Sequence, residues 1–115
     1  MNGAMVFLGS GLGGLVRWQL GLRLPLNSPW PTLVVNIIGS LLLGWLFARM
    51  GSDRERAEWL LAGVGFCGGL TTMSTFALEN VVLAQHSSWR MVAAYAVVTL
   101  VLCVLGCWAG FRIGS

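Results

Sequence analysis

The segment GFCGGLTTMSTF, from Gly65 to Phe76, is the most informative part of this chain. It holds three glycines and four hydroxyl-bearing residues within twelve positions, and it lies inside a longer apolar stretch over residues 57–84. Glycine inside a helix costs about 1 kcal/mol relative to alanine, and threonine also disfavours helix slightly. We therefore expect a helix over residues 57–84 that is broken near residues 68–72, at the depth of the membrane midplane.

Two interpretations of this segment stay open at this point, and they are compatible. A break inside a membrane is tolerated only where the freed backbone groups find a partner, and broken helices commonly mark ion or substrate sites in transport proteins. Alternatively, Gly65 and Gly69 form a GxxxG pattern, which lets two membrane helices approach closely.

The composition of the whole chain is that of an integral membrane protein. Of the 115 residues, 57% are hydrophobic and only 10% are charged, whereas a soluble domain carries about 25% charged residues. This balance excludes a disordered chain, a nucleic-acid reader with a basic face and a secreted disulfide scaffold.

The apolar stretches divide the chain into four membrane spans, since each crossing needs roughly 20 apolar residues. A proline-containing loop over residues 23–31 and a charged connection over residues 51–56 separate the first three spans, and loops this short force neighbouring spans to run antiparallel. We predict a single all-α transmembrane domain over residues 1–115, with spans at 3–22, 32–50, 57–84 and 89–111.

The arginines give only a weak orientation signal. The side that holds both termini carries Arg49, Arg54, Arg56 and Arg112, and the opposite side carries Arg23 and Arg90. Because the excess of basic residues in short loops sets the direction of insertion, so small a difference allows the chain to insert both ways. An antiparallel homodimer is then open to it, and four short helices are few to enclose a pore alone.

Polar side chains within the spans are mostly neutral hydrogen-bonding groups. Tyr95, Thr99 and Cys103 are spaced i, i+4, i+8, which places them on one stripe of a helix. The absence of a ring of acids argues against a divalent-cation path, while neutral donors and the positive edge of an aromatic ring favour a small anion. The alternative is that such groups join helices, at about 0.6 kcal/mol for each hydrogen bond. The other polar positions are Asn36, Thr71, Thr72, Ser74, Thr75, Glu79 and Asn80.

Arg17 and Glu79 are the two charges that fall within the spans. A charge at membrane depth indicates a functional site by default. The alternatives are a structural pair between the two side chains, or long stems that carry the charges to the membrane surface.

No arrangement of residues predicts an enzyme. Residues 9–14 formally match GxGxxG, but neither strands nor a following acid complete a dinucleotide site.

Three segments of the chain resemble the small bacterial fluoride channels, Fluc or CrcB. They are Gly11–Arg17, Thr32–Ser40, and Gly65–Phe76 followed by Glu79, and the similarity runs over essentially the whole chain. The resemblance implies a passive, fluoride-selective channel of the bacterial inner membrane that exports fluoride. It also implies a dual-topology antiparallel homodimer in lipid, with two fluoride pores and a structural sodium ion on the dimer axis.

The resemblance also assigns individual residues. It makes the backbone carbonyls of Gly68 and Thr71 sodium ligands, and it places Arg17 and Glu79 at charged positions near the vestibules. Met73 stands where the family commonly has the first of two pore phenylalanines. The positions along or beside the fluoride path are Asn36, Phe76, Met73, Ser74, Thr75, Thr32, Tyr95, Thr99 and Cys103.

Two other functions are alternatives to a fluoride channel. A proton-coupled exporter of the small multidrug resistance type also has four short helices, but it needs a carboxylate in the first span, and residues 1–22 contain none. An accessory subunit that packs beside a larger complex would leave Asn36 and the hydroxyls of residues 71–75 without a role.

Overall fold

A computed structural model of the chain describes residues 2–22, 30–50, 53 and 56–115. Within them the chain is helical and contains no strand, so the all-α prediction is confirmed. Of the predicted loop at residues 23–31, Trp30 and Pro31 are helical instead, because proline is tolerated in the first turn of a helix. Residues 23–29, Arg54 and most of the charged connection lie outside the described residues. The helices are α1 Asn2–Leu22, α2 Trp30–Met50, a π-helical segment Trp59–Cys67, α3 Gly68–Leu70, α4 Met73–His86 and α5 Trp89–Gly114.

The chain is a multi-pass membrane protein. Three segments are long and apolar enough to cross a membrane: Trp30–Met50, Trp59–His86 and Trp89–Gly114. Helix α1 has 21 residues, but it is rich in glycine and is not one of the three. A crossing by residues 3–22 therefore stays a prediction.

Helix α1 runs parallel to the π-helical segment and α3, and the two backbones almost touch. A Cβ atom on Gly9 would overlap the carbonyl oxygen of Leu61, and one on Gly69 would overlap that of Ser10. Gly65 also lies against Gly9. The GxxxG interpretation of Gly65 and Gly69 is therefore confirmed as a packing contact with α1.

Helices α2 and α5 form a second parallel pair that also meets at glycines. A Cβ on Gly44 would overlap the carbonyl oxygen of Cys107, and one on Gly110 would overlap that of Leu41.

The third apolar stretch runs antiparallel to α2. Thr32 is hydrogen-bonded to Glu79 and the later residue Asn36 to the earlier residue Thr72, so the two segments run in opposite directions. Since α1 is parallel to the third stretch and α5 is parallel to α2, successive spans alternate in direction, as the short loops predict.

Few side chains are buried in a single chain. The buried ones include Leu33, Val35, Leu46, Cys67 and Leu70, and large apolar side chains cover much of the outside of α1, α2, α4 and α5. A surface of this kind suits lipid or a second protein surface rather than water. The chain thus has two glycine-packed helix pairs, and the polar segment of the third stretch lies where they meet.

Candidate functional site

The helical path of the third stretch is interrupted at Thr71 and Thr72. Helix α3 ends at Leu70, Thr71 and Thr72 have extended backbone angles (φ −85°, ψ 155° and φ −151°, ψ 124°), and α4 begins at Met73. The glycines at the start of the predicted 68–72 region are themselves helical. The two threonines, rather than the glycines, therefore leave the helix.

Asn36 of α2 holds this extended segment. Its Oδ1 accepts from the backbone N–H of Thr72 at 2.9 Å, and its Nδ2 donates to the Thr72 carbonyl at 3.3 Å. One side-chain amide thus satisfies both backbone groups of a residue that has left the helix. Burying those groups without partners would cost about 1–3 kcal/mol each, so Asn36 stabilises the interruption from a neighbouring span.

Thr72 begins the next helix. Its Oγ1 accepts from the backbone N–H of Thr75 at 3.2 Å, which is the hydrogen bond of an N-cap threonine. The same hydroxyl donates to Oγ1 of Thr75 at 3.2 Å and lies 3.3 Å from Oγ of Ser74. The predicted path residues Ser74 and Thr75 therefore lie in the first turn of α4, in contact with the Thr72 hydroxyl.

Two carbonyls that precede the interruption accept hydrogen bonds from side chains. The carbonyl of Cys67 accepts from both the N–H and the hydroxyl of Thr71, at 3.0 and 2.9 Å. The carbonyl of Gly69 accepts from Nε of Arg17 at 3.2 Å. Arg17 therefore crosses from α1 to the end of α3 and places positive charge beside the interruption.

The carbonyls of Gly68 and Thr71 lose their normal helical donors. In an α-helix they would accept from the N–H groups of Thr72 and Thr75, four residues later. Those two N–H groups are bonded instead to Asn36 and to the Thr72 hydroxyl. Carbonyl oxygens released in this way are the kind of ligand that hard cations prefer.

Glu79 links three helices at one end of the site. Its Oε2 accepts from the buried hydroxyl of Thr32, and its Oε1 accepts from the hydroxyl of Tyr95, both at 2.9 Å. The Tyr95 ring lies 5.1 Å from that of Phe76, centroid to centroid. Because Glu79 bonds these hydroxyls and Arg17 bonds Gly69, the two charges have separate partners, and no ion pair joins them among the described residues.

An open groove of about 690 Å³ runs along the interrupted stretch, α2 and α5. Thr99 is only 6% exposed, and its hydroxyl finds no hydrogen-bond partner among the described residues. Met73 is 76% exposed and extends from the start of α4. The predicted site residues that line the groove are Asn36, Gly68, Thr71, Met73, Phe76, Thr99 and Cys103.

The remaining predicted residues are close by but do not line the groove. Ser74 and Thr75 lie in the first turn of α4 against the Thr72 hydroxyl. Thr32 and Tyr95 donate hydrogen bonds to Glu79, and Arg17 donates one to Gly69 at α3.

Sequence reasoning overlooked one polar residue of the groove wall. Ser40 lines the groove one turn after Asn36, and the i, i+4 spacing of two polar residues on an apolar helix was the signal that could have found it. The sequence patterns also did not predict the hydrogen bonds between Asn36 and Thr72, because these residues are far apart in the chain and no local pattern links them.

Comparison with known proteins finds one family and many relatives. A family model described as CrcB-like protein, Camphor Resistance (CrcB), matches residues 4–111. The proteins named fluoride-specific ion channel FluC of Paramagnetospirillum magneticum, Bordetella pertussis and Coxiella burnetii are 40%, 41% and 36% identical to this chain. The alignments cover 93%, 84% and 99% of this chain and 90%, 77% and 98% of those relatives. These names describe ion channels and not enzymes.

Proposed function

This chain belongs to the CrcB family, and we propose that it is a passive, fluoride-selective channel that exports fluoride across the bacterial inner membrane. The observation that carries the proposal is the interruption at Thr71 and Thr72, held open by Asn36 beside a groove with an unpartnered hydroxyl. We infer that the ion is fluoride because the relatives are named fluoride-specific ion channels.

The groove offers neutral hydrogen-bond donors to a small anion. The amide of Asn36 uses one N–H on Thr72, and an amide nitrogen has a second N–H to give. The Thr99 hydroxyl has no partner among the described residues, and the Phe76 ring can present its positive edge. An anion that leaves water must recover its hydrogen bonds from such groups, and neutral donors do so without trapping it by charge.

Thr32 and Tyr95 belong to the proposed path in a different way. Their hydroxyls donate to Glu79, so an anion at this end would compete with a carboxylate for the same protons. We assign these residues, with Ser74 and Thr75 around the first turn of α4, to the polar surroundings of the path.

A structural sodium ion would be held by the carbonyls of Gly68 and Thr71. The fit rests on the N–H groups of Thr72 and Thr75, which bond elsewhere and so leave both oxygens without their helical donors. Two copies would supply four such oxygens, and a hard cation takes oxygen ligands. Bound there, the ion supplies a fixed positive charge that raises the potential felt by a nearby anion.

We propose further that two copies assemble as an antiparallel, dual-topology homodimer with two pores. The support is the weak arginine asymmetry and the groove, which a single chain leaves open. The rival exporter of the small multidrug resistance type has less support, because no described residue of α1 is acidic.

Fluoride efflux from liposomes tests the proposed function. Purified protein should release fluoride rapidly under a potassium diffusion potential, with very little chloride released in parallel vesicles. Protein-free liposomes set the background for both ions. Comparable chloride and fluoride rates would contradict selectivity, and rates equal to the background would contradict conduction.

Met73 gives a test of how closely the groove follows the family pattern. Met73→Phe should preserve or raise fluoride efflux, because it restores a ring edge where the family commonly has one. Loss of efflux in folded Met73→Phe protein would mean that this groove is packed differently.

A further inference from the structure

Two arginine–tryptophan pairs with identical spacing end helices α2 and α5. The guanidinium carbon of Arg49 lies 5.8 Å from the centroid of the Trp45 ring, and that of Arg112 lies 5.7 Å from the Trp108 ring. Each arginine is exposed and lies in the last turn of its helix. An arginine over an indole face is held by a cation–π interaction and still presents its donors outward.

Both pairs emerge at the same end of the molecule. Helices α2 and α5 are parallel, and Gly114 packs against Trp45 and Ala48, so their C-terminal turns are in contact. Tryptophan and arginine are residues that lie at the level of lipid headgroups when a helix spans a membrane. Two cationic groups are therefore presented together at one membrane surface.

A second groove is lined by residues of α2, the π-helical segment and α5. It encloses about 540 Å³, and its lining is almost entirely apolar. Phe47 lies 6.1 Å from Trp59 and 6.2 Å from Phe111, between ring centroids. Trp108 lines this groove and also carries Arg112 on its ring, so the cationic group and the apolar surface are continuous. The other lining residues are Leu43, Gly44, Val104 and Cys107.

We propose that this groove binds an anionic phospholipid, with an acyl chain along the aromatic wall and the phosphate at Arg112, and that Arg49 adds positive charge at the same membrane surface. Charge complementarity selects the occupant, because a guanidinium group beside an apolar groove, with a second one at the same membrane surface, favours a lipid of net negative charge over a zwitterionic one. Basic pockets between membrane helices recognise such headgroups. The proposal rests on the membrane location of the chain and is independent of the ion that it conducts.

Native mass spectrometry of the full chain tests the headgroup contact. The protein is incubated in detergent with equimolar dioleoyl phosphatidylglycerol or dioleoyl phosphatidylcholine, and the retained lipid is counted. Wild-type protein should prefer phosphatidylglycerol, and because each arginine is worth about fivefold, Arg49→Gln with Arg112→Gln should lower that preference about 25-fold. Arg90→Gln, a charge change at the start of α5, is the control and should leave the preference unchanged. Equal retention of the two lipids by wild type, or no loss in the double variant, overturns the proposal.

A second variant tests the groove itself. Val104 lines the groove and is 60% exposed, so Val104→Trp should fill the groove without disturbing the buried residues. We expect lower retention of both lipids and an unchanged oligomer mass. Unchanged lipid retention overturns the proposal, and a changed oligomer mass would assign the groove to a second copy of the chain and overturn it as well.

Discussion

Glycine lets helices pack closely in two regions of the molecule, the α2–α5 pair and the third stretch. Only the third stretch has an interruption in its helical path. In the α2–α5 pair, Gly44 and Gly110 lie against the backbone of the other helix, and both helices continue without interruption. In the third stretch, Gly69 also packs against a neighbouring helix and stays helical. The chain leaves the helix at Thr71 and Thr72, where Asn36 supplies replacement hydrogen bonds. Glycine therefore sets how closely two helices approach, and polar side chains set where a helix stops.

The largest effect should come from removing the close approach of α2 and α5. Gly110→Ala places a Cβ on the carbonyl oxygen of Leu41, so the helices must separate, and the loss should be about 4 kcal/mol or more. Gly11→Ala is the matched control, because a Cβ at Gly11 meets nothing within 4 Å. Thermal unfolding in detergent should show a large fall in midpoint for Gly110→Ala only. Equal midpoints for the two variants would contradict the packing account.

A smaller but clear loss should follow from removing the amide that holds Thr72. Asn36→Ala leaves the N–H and the carbonyl of Thr72 without their partner, at about 2–6 kcal/mol in total. Ser40→Ala is the control on the same groove wall and should change stability little. If Asn36→Ala unfolds at the wild-type temperature, water or another group satisfies Thr72, and Asn36 does not hold the interruption.

The smallest of the three effects should come from Arg17. Arg17→Met keeps the apolar stem and removes the donor to the Gly69 carbonyl, and a hydrogen bond from a charged group contributes about 1.5–3 kcal/mol. Arg17→Lys keeps a charged donor and should lose less. The same unfolding measurement ranks the two variants. Equal stability of Arg17→Met, Arg17→Lys and the wild-type protein would show that the Gly69 contact is not stabilising.

Sequence patterns predicted the parts of this molecule that depend on local composition. The apolar stretches predicted the three segments that are long and apolar enough to cross a membrane, while the crossing by residues 3–22 stays a prediction. The short loops predicted the alternating direction of the helices. The spacing of Gly65 and Gly69 gave a close helix contact that the structure places against Gly9 and Ser10.

Features that depend on contacts between distant residues could not be predicted from those patterns. Propensity alone put the weak point of the helix at Gly68 as much as at Thr72, because it cannot include the bonds from Asn36. The partner of Arg17 was equally hidden, since the receiving group is a backbone carbonyl of another span. The π-helical turns over Trp59–Cys67 carry no recognised sequence signal, and they accompany the tight packing of α1 against Leu61.

Fluoride efflux from liposomes that contain Asn36→Asp tests the central claim most directly, namely that the groove beside the interrupted segment is the path of the anion. The substitution keeps the size of the side chain and its acceptor for the Thr72 N–H, but it places a negative charge in the groove. With thermal unfolding showing that the variant is folded, we expect fluoride efflux to fall to the level of protein-free liposomes. Efflux at the wild-type rate would contradict the account, because an anion that passes Asn36 cannot be indifferent to a like charge there.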